Sequence, residues 1–360
     1  MRPWMLSPVI GAAAPPAYHR SMPASGTPLA RLGFLTIGTF DPADPAEGHE
    51  ATLRIIERGE QLGLDSAWLR HRHLQHGISS PVAVMAAASQ RTRRIDLGTA
   101  VTPIGAENPF RLAEDLATVD LLTGGRLQPG FSIGTPMRFD TYRDAIYPTT
   151  ADLEDLGYDR LLRFRDLVHG RTVSDAAARE GQEEYASTVQ PHAAGLAERI
   201  WYGAASTRSA VWAGENGFRL LTSSVIQGEL GPDFGANQRA QIDAYRAAHP
   251  TGADARVSQG LVVIPTDRAT PEQRARYEAY AASRAHRVGV PQGPRGLLFA
   301  EDLVGTSEEI AARLHADPAY QAVDEVAFAL PFTLGEADLE QILTDIAELL
   351  GPALGWSPAV

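Results

Sequence analysis

The chain has 360 residues, of which 44% are hydrophobic and 21% charged, and its formal net charge is −12. This composition is typical of a soluble globular protein with a sizeable core, and the acidic charge disfavours nucleic acid and anionic membrane surfaces as partners. The chain has no cysteine and no apolar run long enough to span a bilayer, which excludes disulfides, thiolate metal sites and cysteine nucleophiles and favours a cytoplasmic protein.

The first 30 residues differ in composition from the rest of the chain. They are rich in Pro, Ala and Ser, and prolines interrupt their one short apolar stretch. A secretory signal needs a longer uninterrupted apolar segment. We therefore predict a disordered extension over residues 1–30 and a single domain over residues 31–360.

From residue 31 onward, short apolar runs alternate with longer amphipathic segments, which predicts strands followed by helices. Gly63, Pro81 and Pro109 punctuate the pattern, because glycine often ends a helix and proline often begins one. The predicted strands span residues 32–40, 66–69, 94–101, 126–133, 200–202, 218–222, 257–264 and 325–330. The predicted helices span residues 47–61, 81–90, 109–122, 152–169, 207–215, 237–248, 271–284, 307–315 and 339–350.

Eight strand-then-helix units predict an α/β fold, a single (β/α)8 TIM barrel. The strands are mostly continuous apolar runs, as expected for strands covered on both faces. Residues 171–198 show no clean period and predict an irregular insertion between the fourth helix and the fifth strand. Pro129 predicts a bulge or a loss of pairing in the fourth strand. An open doubly wound sheet is the alternative, but the turn after the first strand lacks its glycine-rich fingerprint.

The loop after the second strand, residues 70–76, is the richest in chemistry (RHRHLQH). Catalytic side chains of a barrel follow the strands, and an imidazole exchanges protons near neutral pH. We predict that His71, Arg72 and His73 are catalytic, the alternative being a solvated polar loop. No carboxylate lies near the two histidines in the sequence and the arginines would repel a cation, so we predict no metal site.

A second candidate is the small-residue stretch 203–207 (GAAST), which leaves the fifth strand and opens a helix. Free N–H groups and the helix dipole at such a position favour a phosphate. Ser and Thr are also ordinary capping residues, so a plain helix cap is the alternative.

Several stretches resemble the bacterial-luciferase-like flavin-dependent monooxygenases. They are residues 63–68 (GLDSAW) with the following histidine loop, residues 94–101 (RIDLGTAV), residues 108–126 from Asn-Pro to the Gly-Gly-Arg turn, and residues 201–212 (WYGAASTRSAVW). The resemblance is strongest over residues 31–135, and the C-terminal third matches only in layout.

The resemblance implies a homodimeric monooxygenase that uses O2 and reduced FMN, supplied by a separate flavin reductase, to oxygenate a small organic substrate. Residues 203–207 would hold the phosphate and residues 99–101 would line the isoalloxazine ring, with a cis peptide between Ala100 and Val101. The cofactor-binding residues that it implies are Thr99, Ala100, Val101, Ser132, Gly203, Ala204, Ser206 and Thr207.

Two positions depart from the family pattern. The usual Glu-His-His of the second strand is His71-Arg72-His73 here, so that the position of the luciferase catalytic histidine falls on Arg72. The arginine that accompanies the phosphate is replaced by Ile133, which leaves Arg72, Arg138, Arg160 or the backbone to meet its charge. A deazaflavin-dependent hydride-transfer oxidoreductase and a non-catalytic flavin-binding or partner subunit are therefore the alternatives.

Overall fold

The computed structural model describes residues 28–175 and 178–358. The extension predicted for residues 1–30 lies, up to residue 27, outside the described residues. The strands are β1 (Arg31–Thr36), β2 (Ser66–Leu69), β3 (Asp96–Thr99), β4 (Thr102–Pro103), β5 (Leu127–Gln128), β6 (Gly130–Ser132), β7 (Ala178–Glu180), β8 (Glu183–Tyr185), β9 (Trp201–Gly203), β10 (Arg219–Thr222), β11 (Val225–Gln227), β12 (Val257–Gln259), β13 (Val263–Pro265), β14 (Leu297–Phe299), β15 (Leu303–Gly305) and β16 (Glu325–Ala329).

Helices cover the strands and follow them in the chain. They are α1 (Pro45–Gln61), α2 (Pro81–Arg91), α3 (Pro109–Thr123), α4 (Arg143–Ile146), α5 (Tyr158–Val168), α6 (Thr207–Glu215), α7 (Phe234–Ala248), α8 (Pro271–Arg284), α9 (Ser307–Ala316), α10 (Glu336–Asp345) and α11 (Gly351–Ala353). Among the helices of the described ranges, none combines the length and the apolar character needed to cross a lipid bilayer.

A curled parallel sheet of ten strands forms the centre of the fold, in the order β4-β6-β9-β10-β12-β16-β1-β2-β3-β5. This confirms the predicted α/β class. Three smaller two-strand sheets join β11 to β14, β13 to β15 and β7 to β8. The β7–β8 hairpin is exposed and lies within residues 171–198, for which the insertion was predicted.

Two adjacent strands of the sheet are interrupted at the same level. The peptide bond between Ala100 and Val101, which separates β3 from β4, is cis, as expected. Pro129 separates β5 from β6, which confirms the predicted loss of pairing, since proline has no N–H to donate. Because β3 pairs with β5 and β4 pairs with β6, the two interruptions face each other.

A side chain bridges this break. The hydroxyl of Thr99 donates to the carbonyl oxygen of Gly130 at 2.8 Å and accepts from its N–H at 2.9 Å. A Cβ on Gly130 would lie 2.1 Å from the carbonyl oxygen of Thr99, so only glycine allows this close approach. The two backbones are therefore held together where the regular ladder is absent.

Two predicted elements have different bounds in the structure. The strand predicted over residues 257–264 is divided into β12 and β13, and Gly260 packs so closely that a Cβ would lie 3.0 Å from the carbonyl oxygen of Thr222. The helix predicted over residues 152–169 begins only at Tyr158, because residues 149–153 form turns.

Large apolar side chains fill the interior below the break. Trp68 on β2 and Trp201 on β9 meet edge to face, with ring centroids 5.4 Å apart, and pack with Leu221 and Ala327. Ala100 and Val101 lie on this cluster and remain partly exposed on their other side. The cluster therefore forms a closed floor beneath the carboxyl ends of the strands.

Candidate functional site

The predicted cofactor-binding segments meet at neighbouring strand ends. Thr102 pairs with Phe131, and Phe131 pairs with Tyr202, so that the ends of β4, β6 and β9 lie side by side. Parallel strands present their carboxyl ends on one edge, where barrels place their chemistry. The loops that follow β2, β4, β6 and β9 therefore surround one mouth.

Gly203 and Val101 approach each other closely at this mouth. A Cβ on Gly203 would lie 2.8 Å from Cγ1 of Val101, so glycine is needed for the two segments to approach. Ala100, Val101 and Ser132 are half-buried. We call these three small side chains the wall of the mouth.

Thr99 lies next to this wall but turns its side chain away from it. The side chain is buried, and its hydroxyl is occupied by the bridge to Gly130. The implied contact of Thr99 with a cofactor is thereby restricted to its backbone.

The start of α6 is capped as the alternative interpretation of residues 203–207 proposed. The hydroxyl of Ser206 accepts from the N–H of Ser209, and the Ser209 hydroxyl accepts from the N–H of Ser206, each at 3.2 Å, completing a capping box. The N–H of Ala204 donates to the carbonyl oxygen of Leu221 at 3.2 Å. Ser206 and Ala204 therefore have these donors and acceptors engaged within the fold.

Thr207 is the member of this stretch that binds an anion in the structure. Its N–H and its hydroxyl both donate to Oε2 of Glu229, the N–H at 2.9 Å. The carboxylate stands where a phosphate oxygen would bind at a helix N-terminus. The donors thus fit a phosphate, and Glu229 would have to withdraw to admit one.

The arginines proposed to meet the phosphate charge differ in their availability. Arg160 is buried and its guanidinium binds the Glu154 carboxylate at 2.8 Å and the carbonyl oxygens of Asp155 and Glu107 at 2.9 and 3.0 Å, so it is fully engaged. Arg138 is exposed, with a positive φ of 58°. Arg72 is half-buried, and burial lowers the pKa of its guanidinium.

A buried pair of histidines follows β2. The side chain of His71 is 2% exposed, and neither of its ring nitrogens meets hydrogen-bond geometry with a partner in the described residues. The His71 and His73 rings contact each other with centroids 4.6 Å apart, and Nε2 of His73 is also buried without a partner. Arg72, between them in sequence, is close enough that its charge lowers the pKa of His71.

Glu107 completes this cluster and was not predicted. Its Oε1 lies 3.8 Å from Nδ1 of His71, and one donor atom from each of His71, His73 and Glu107 fits within 4.8 Å. No carboxylate lies near the two histidines in the sequence, but the fold brings Glu107 to them. The expectation that the histidines have no carboxylate neighbour is therefore wrong. A signal for Glu107 did exist, since it stands directly before the Asn108-Pro109 helix start, in the loop that follows the third predicted strand.

Burial sets the protonation states of this cluster. Burial, together with the neighbouring His73 and Arg72, lowers the pKa of His71 to about 4, and the backbone of Ser79 opposes this effect. Burial also raises the pKa of Glu107 to about 7, with Asp115 adding to the effect and Arg160 opposing it. At neutral pH the cluster therefore holds a neutral imidazole beside a carboxyl group that is poised to gain or lose a proton.

Two curated proteins are similar to a segment of this chain. The 4-hydroxyprotoasukamycin monooxygenase of Streptomyces nodosus subsp. asukaensis is 36% identical over 94 residues, which are 26% of this chain and 25% of that protein. The F420-dependent glucose-6-phosphate dehydrogenase of Amycolatopsis mediterranei (strain U-32) is 39% identical over 83 residues, 21% of this chain and 25% of that protein. The matched segment thus spans about a quarter of the length of these relatives.

A solved structure shares the fold over nearly its whole length. It is a type II Baeyer-Villiger monooxygenase, the oxygenating constituent of 3,6-diketocamphane monooxygenase from Pseudomonas putida, in complex with FMN. Its TM-score is 0.61 at 16% identity, covering 90% of this chain and 98% of that chain. The profile of the luciferase-like monooxygenases matches residues 30–327. The chain therefore belongs to the luciferase-like monooxygenase family.

Proposed function

We propose that the protein is a flavin-dependent monooxygenase that uses reduced FMN and O2 to oxygenate a small organic substrate. The observation that carries this proposal is the anion-binding start of α6, where Thr207 holds a carboxylate, directly after the β9 end that packs against Val101. A phosphate donor beside this wall of small residues suits a phosphorylated planar cofactor.

We also propose that the parallel strands of the central sheet form a (β/α)8 barrel. When each of the two interrupted strands is counted once, the pairings join eight parallel strands into a ring, from β1 through β2, β3 with β4, β5 with β6, β9, β10 and β12 to β16 and back to β1. We take this ring as the (β/α)8 barrel, with residues 171–198 as its insertion.

The residues that would hold FMN divide between its two ends. Thr207 and the main chain of residues 203–206 would bind the phosphate, while Ala100, Val101 and Ser132 would line the ring. Reduced FMN, when bound, supplies the electrons that activate O2. The protein's own contribution is to orient the ring on the floor formed by Trp68 and Trp201 and to exclude water from it.

His71, Arg72 and His73 are the side chains proposed to act on the reacting groups. Arg72 keeps its positive charge and orients anionic or polar groups in the mouth, whereas the two imidazoles can accept or donate protons. We further propose a separate flavin reductase as the electron source, a homodimer, and a cytoplasmic location.

A deazaflavin-dependent hydride transfer is the second candidate. It is favoured by the similarity of an 83-residue segment to an F420-dependent dehydrogenase, at 39% identity. The same mouth would then hold the deazaflavin coenzyme, and O2 would not be a substrate.

Titration of the purified protein with FMN, reduced FMN and reduced F420 separates the two candidates. Reduced FMN binding with O2 uptake would support the monooxygenase, binding of F420 alone would move the function to hydride transfer, and binding of neither would refute both. Thr207→Val removes a phosphate donor and should weaken FMN binding by about 0.5–1.5 kcal/mol, roughly 2- to 12-fold. Thr118→Val, the same change on the exposed side of α3, should leave it unchanged.

A further inference from the structure

The cluster after β2 continues as a string of titratable side chains. Oε1 of Glu107 lies 3.8 Å from Nδ1 of His71, the His71 and His73 ring centroids are 4.6 Å apart, and those of His73 and Tyr142 are 4.8 Å apart. His71 and Tyr142 are buried, whereas His73 and Glu107 are half-buried. The string therefore runs from the loop after β4 through the loop after β2 to the segment after β6.

Both histidines have hydrogen-bonding capacity that the fold does not use. In the described part of the chain, both ring nitrogens of His71 and Nε2 of His73 are buried and make no hydrogen bond of normal geometry, although the backbone of Ser79 comes close enough to His71 to oppose the fall in its pKa. Buried polar groups are normally hydrogen-bonded, so a buried imidazole in this state is unusual in a purely structural role. The distance of 3.8 Å between Nδ1 of His71 and Oε1 of Glu107 is slightly longer than a hydrogen bond, and a small movement of either side chain would form one. Catalytic hydrogen bonds often shorten only when the ligand binds.

Several charged and titratable groups surround the string and set its protonation. Arg72 faces His71 and Tyr142, and Asp115 and Arg160 face Glu107. The hydroxyl of Tyr147 donates to the carbonyl oxygen of Glu107 at 3.4 Å, and the Tyr147 ring lies under the Arg160 guanidinium. The positive charges of Arg72 and Arg160 disfavour an added divalent cation among the three donors, because like charges repel.

We infer that Glu107, His71 and His73 form a proton relay, in which Glu107 holds the proton and His73 exchanges it with an oxygen or nitrogen atom bound in the mouth. The inference rests on the proposed function, which places the reacting groups in that mouth. For delivery, the Glu107 carboxyl gives its proton to Nδ1 of His71. His71 gives its other ring proton to His73, and His73 gives one to the bound atom. Both imidazoles end neutral, one proton has moved, and water reprotonates Glu107.

Nuclear magnetic resonance of the two imidazoles tests the relay without any flavin. In the wild-type protein we expect the His71 and His73 ring signals to shift near pH 7 as Glu107 ionises. Glu107→Gln should abolish that shift. Glu114→Gln is the matched control, since Glu114 and Glu107 have equal side-chain exposure of 26% but Glu114 pairs with Arg111 on α3, and it should keep the shift.

The relay would be overturned if the ring signals of His71 and His73 did not shift near pH 7, or if they shifted equally in Glu107→Gln. Stoichiometric Zn²⁺ binding lost in Glu107→Gln would also overturn it, by making the cluster a metal site. Should Glu107→Gln fail to fold, His71→Asn provides the second variant. The His73 signal should then no longer report the ionisation of Glu107, whereas His76→Asn, in the exposed part of the same loop, should change nothing.

Turnover gives the second readout and depends on the flavin. Oxidation of the anionic reduced flavin (FMNH−) by O2 to FMN and H2O2 consumes one proton. The wild-type rate should therefore fall as the pH rises through about 7, where Glu107 loses its proton. Glu107→Gln should lower the rate by about 10- to 100-fold and flatten this profile, with Glu114→Gln unaffected. An unchanged profile in Glu107→Gln would refute the relay. A protein that binds no FMN but still shows the coupled histidine signals would refute the proposed function and keep the relay.

Discussion

The substitution Glu229→Gln tests the phosphate site directly, because it removes the carboxylate that occupies the start of α6. Glu229 accepts two hydrogen bonds from Thr207, through the N–H at 2.9 Å and through the hydroxyl. A hydrogen bond to a charged group contributes about 1.5–3 kcal/mol when buried, but an exposed pair contributes only about 0–1 kcal/mol. Repulsion between the carboxylate and a nearby phosphate adds about 1 kcal/mol in water. We therefore expect FMN to bind about 1–2 kcal/mol more tightly, or about 5- to 30-fold.

Fluorescence titration with FMN and with riboflavin measures this gain. Riboflavin has no phosphate, so its affinity should not change, and the gain for FMN should shrink at high salt because screening weakens charge interactions. Glu215→Gln removes the same charge at the other end of α6 and serves as the control. An unchanged FMN affinity, or an equal gain for riboflavin, would refute the assignment of Thr207 to the phosphate.

Four further substitutions test the energetics around the mouth. Burial raises the pKa of Glu107 from 4.5 to about 7. Its stabilising contribution is thus present below pH 4.5 and is lost as the pH rises through 7. Between about pH 4.5 and 8, the free energy of unfolding of Glu107→Gln, measured in urea, should therefore rise by about 3 kcal/mol relative to that of the wild type. A difference that does not depend on pH would contradict this. Arg160→Met breaks a buried ion pair and should lower the free energy of unfolding by about 3–5 kcal/mol, whereas a loss below about 1 kcal/mol would show that the pair is solvated. Gly130→Ala meets a backbone oxygen at 2.1 Å and Gly203→Ala a side-chain methyl at 2.8 Å, so thermal unfolding should show the larger loss for Gly130, and the reverse order would exclude the clash.

Helix bounds were predictable wherever their signals are local. The predicted bounds of α6 and α8 match the structure to the residue, because local residues set their starts. Ser206 and Thr270 are capping residues, and Pro271 occupies the first turn of α8. The interruption at Pro129 was predictable for the same reason. The division of the strand at Gly260 was not, because it depends on a carbonyl oxygen of the neighbouring strand and not on its own apolar run.

The site was predictable as a set of loops but not as a set of contacts. Barrel geometry alone selects the loops after the strands, and it correctly brought the segments of Val101 and Gly203 to one mouth. The contact of Glu107 with His71, and that of Glu229 with Thr207, join residues that are far apart in the chain. Such pairs depend on how neighbouring strands align, which composition and periodicity do not encode.

The bridge between Thr99 and Gly130 has a consequence for how this protein can change. Where two strands lose their ladder, one hydroxyl supplies both a donor and an acceptor to the opposite backbone. The bridge thus fixes the backbone behind the wall of the mouth, and the side chains of the wall take no part in its hydrogen bonds. Substitutions at Ala100, Val101 or Ser132 can therefore reshape the surface offered to a ligand without removing this bridge. An isosteric change of Thr99 to valine would instead remove the bridge and leave the N–H and the carbonyl oxygen of Gly130 without this hydroxyl.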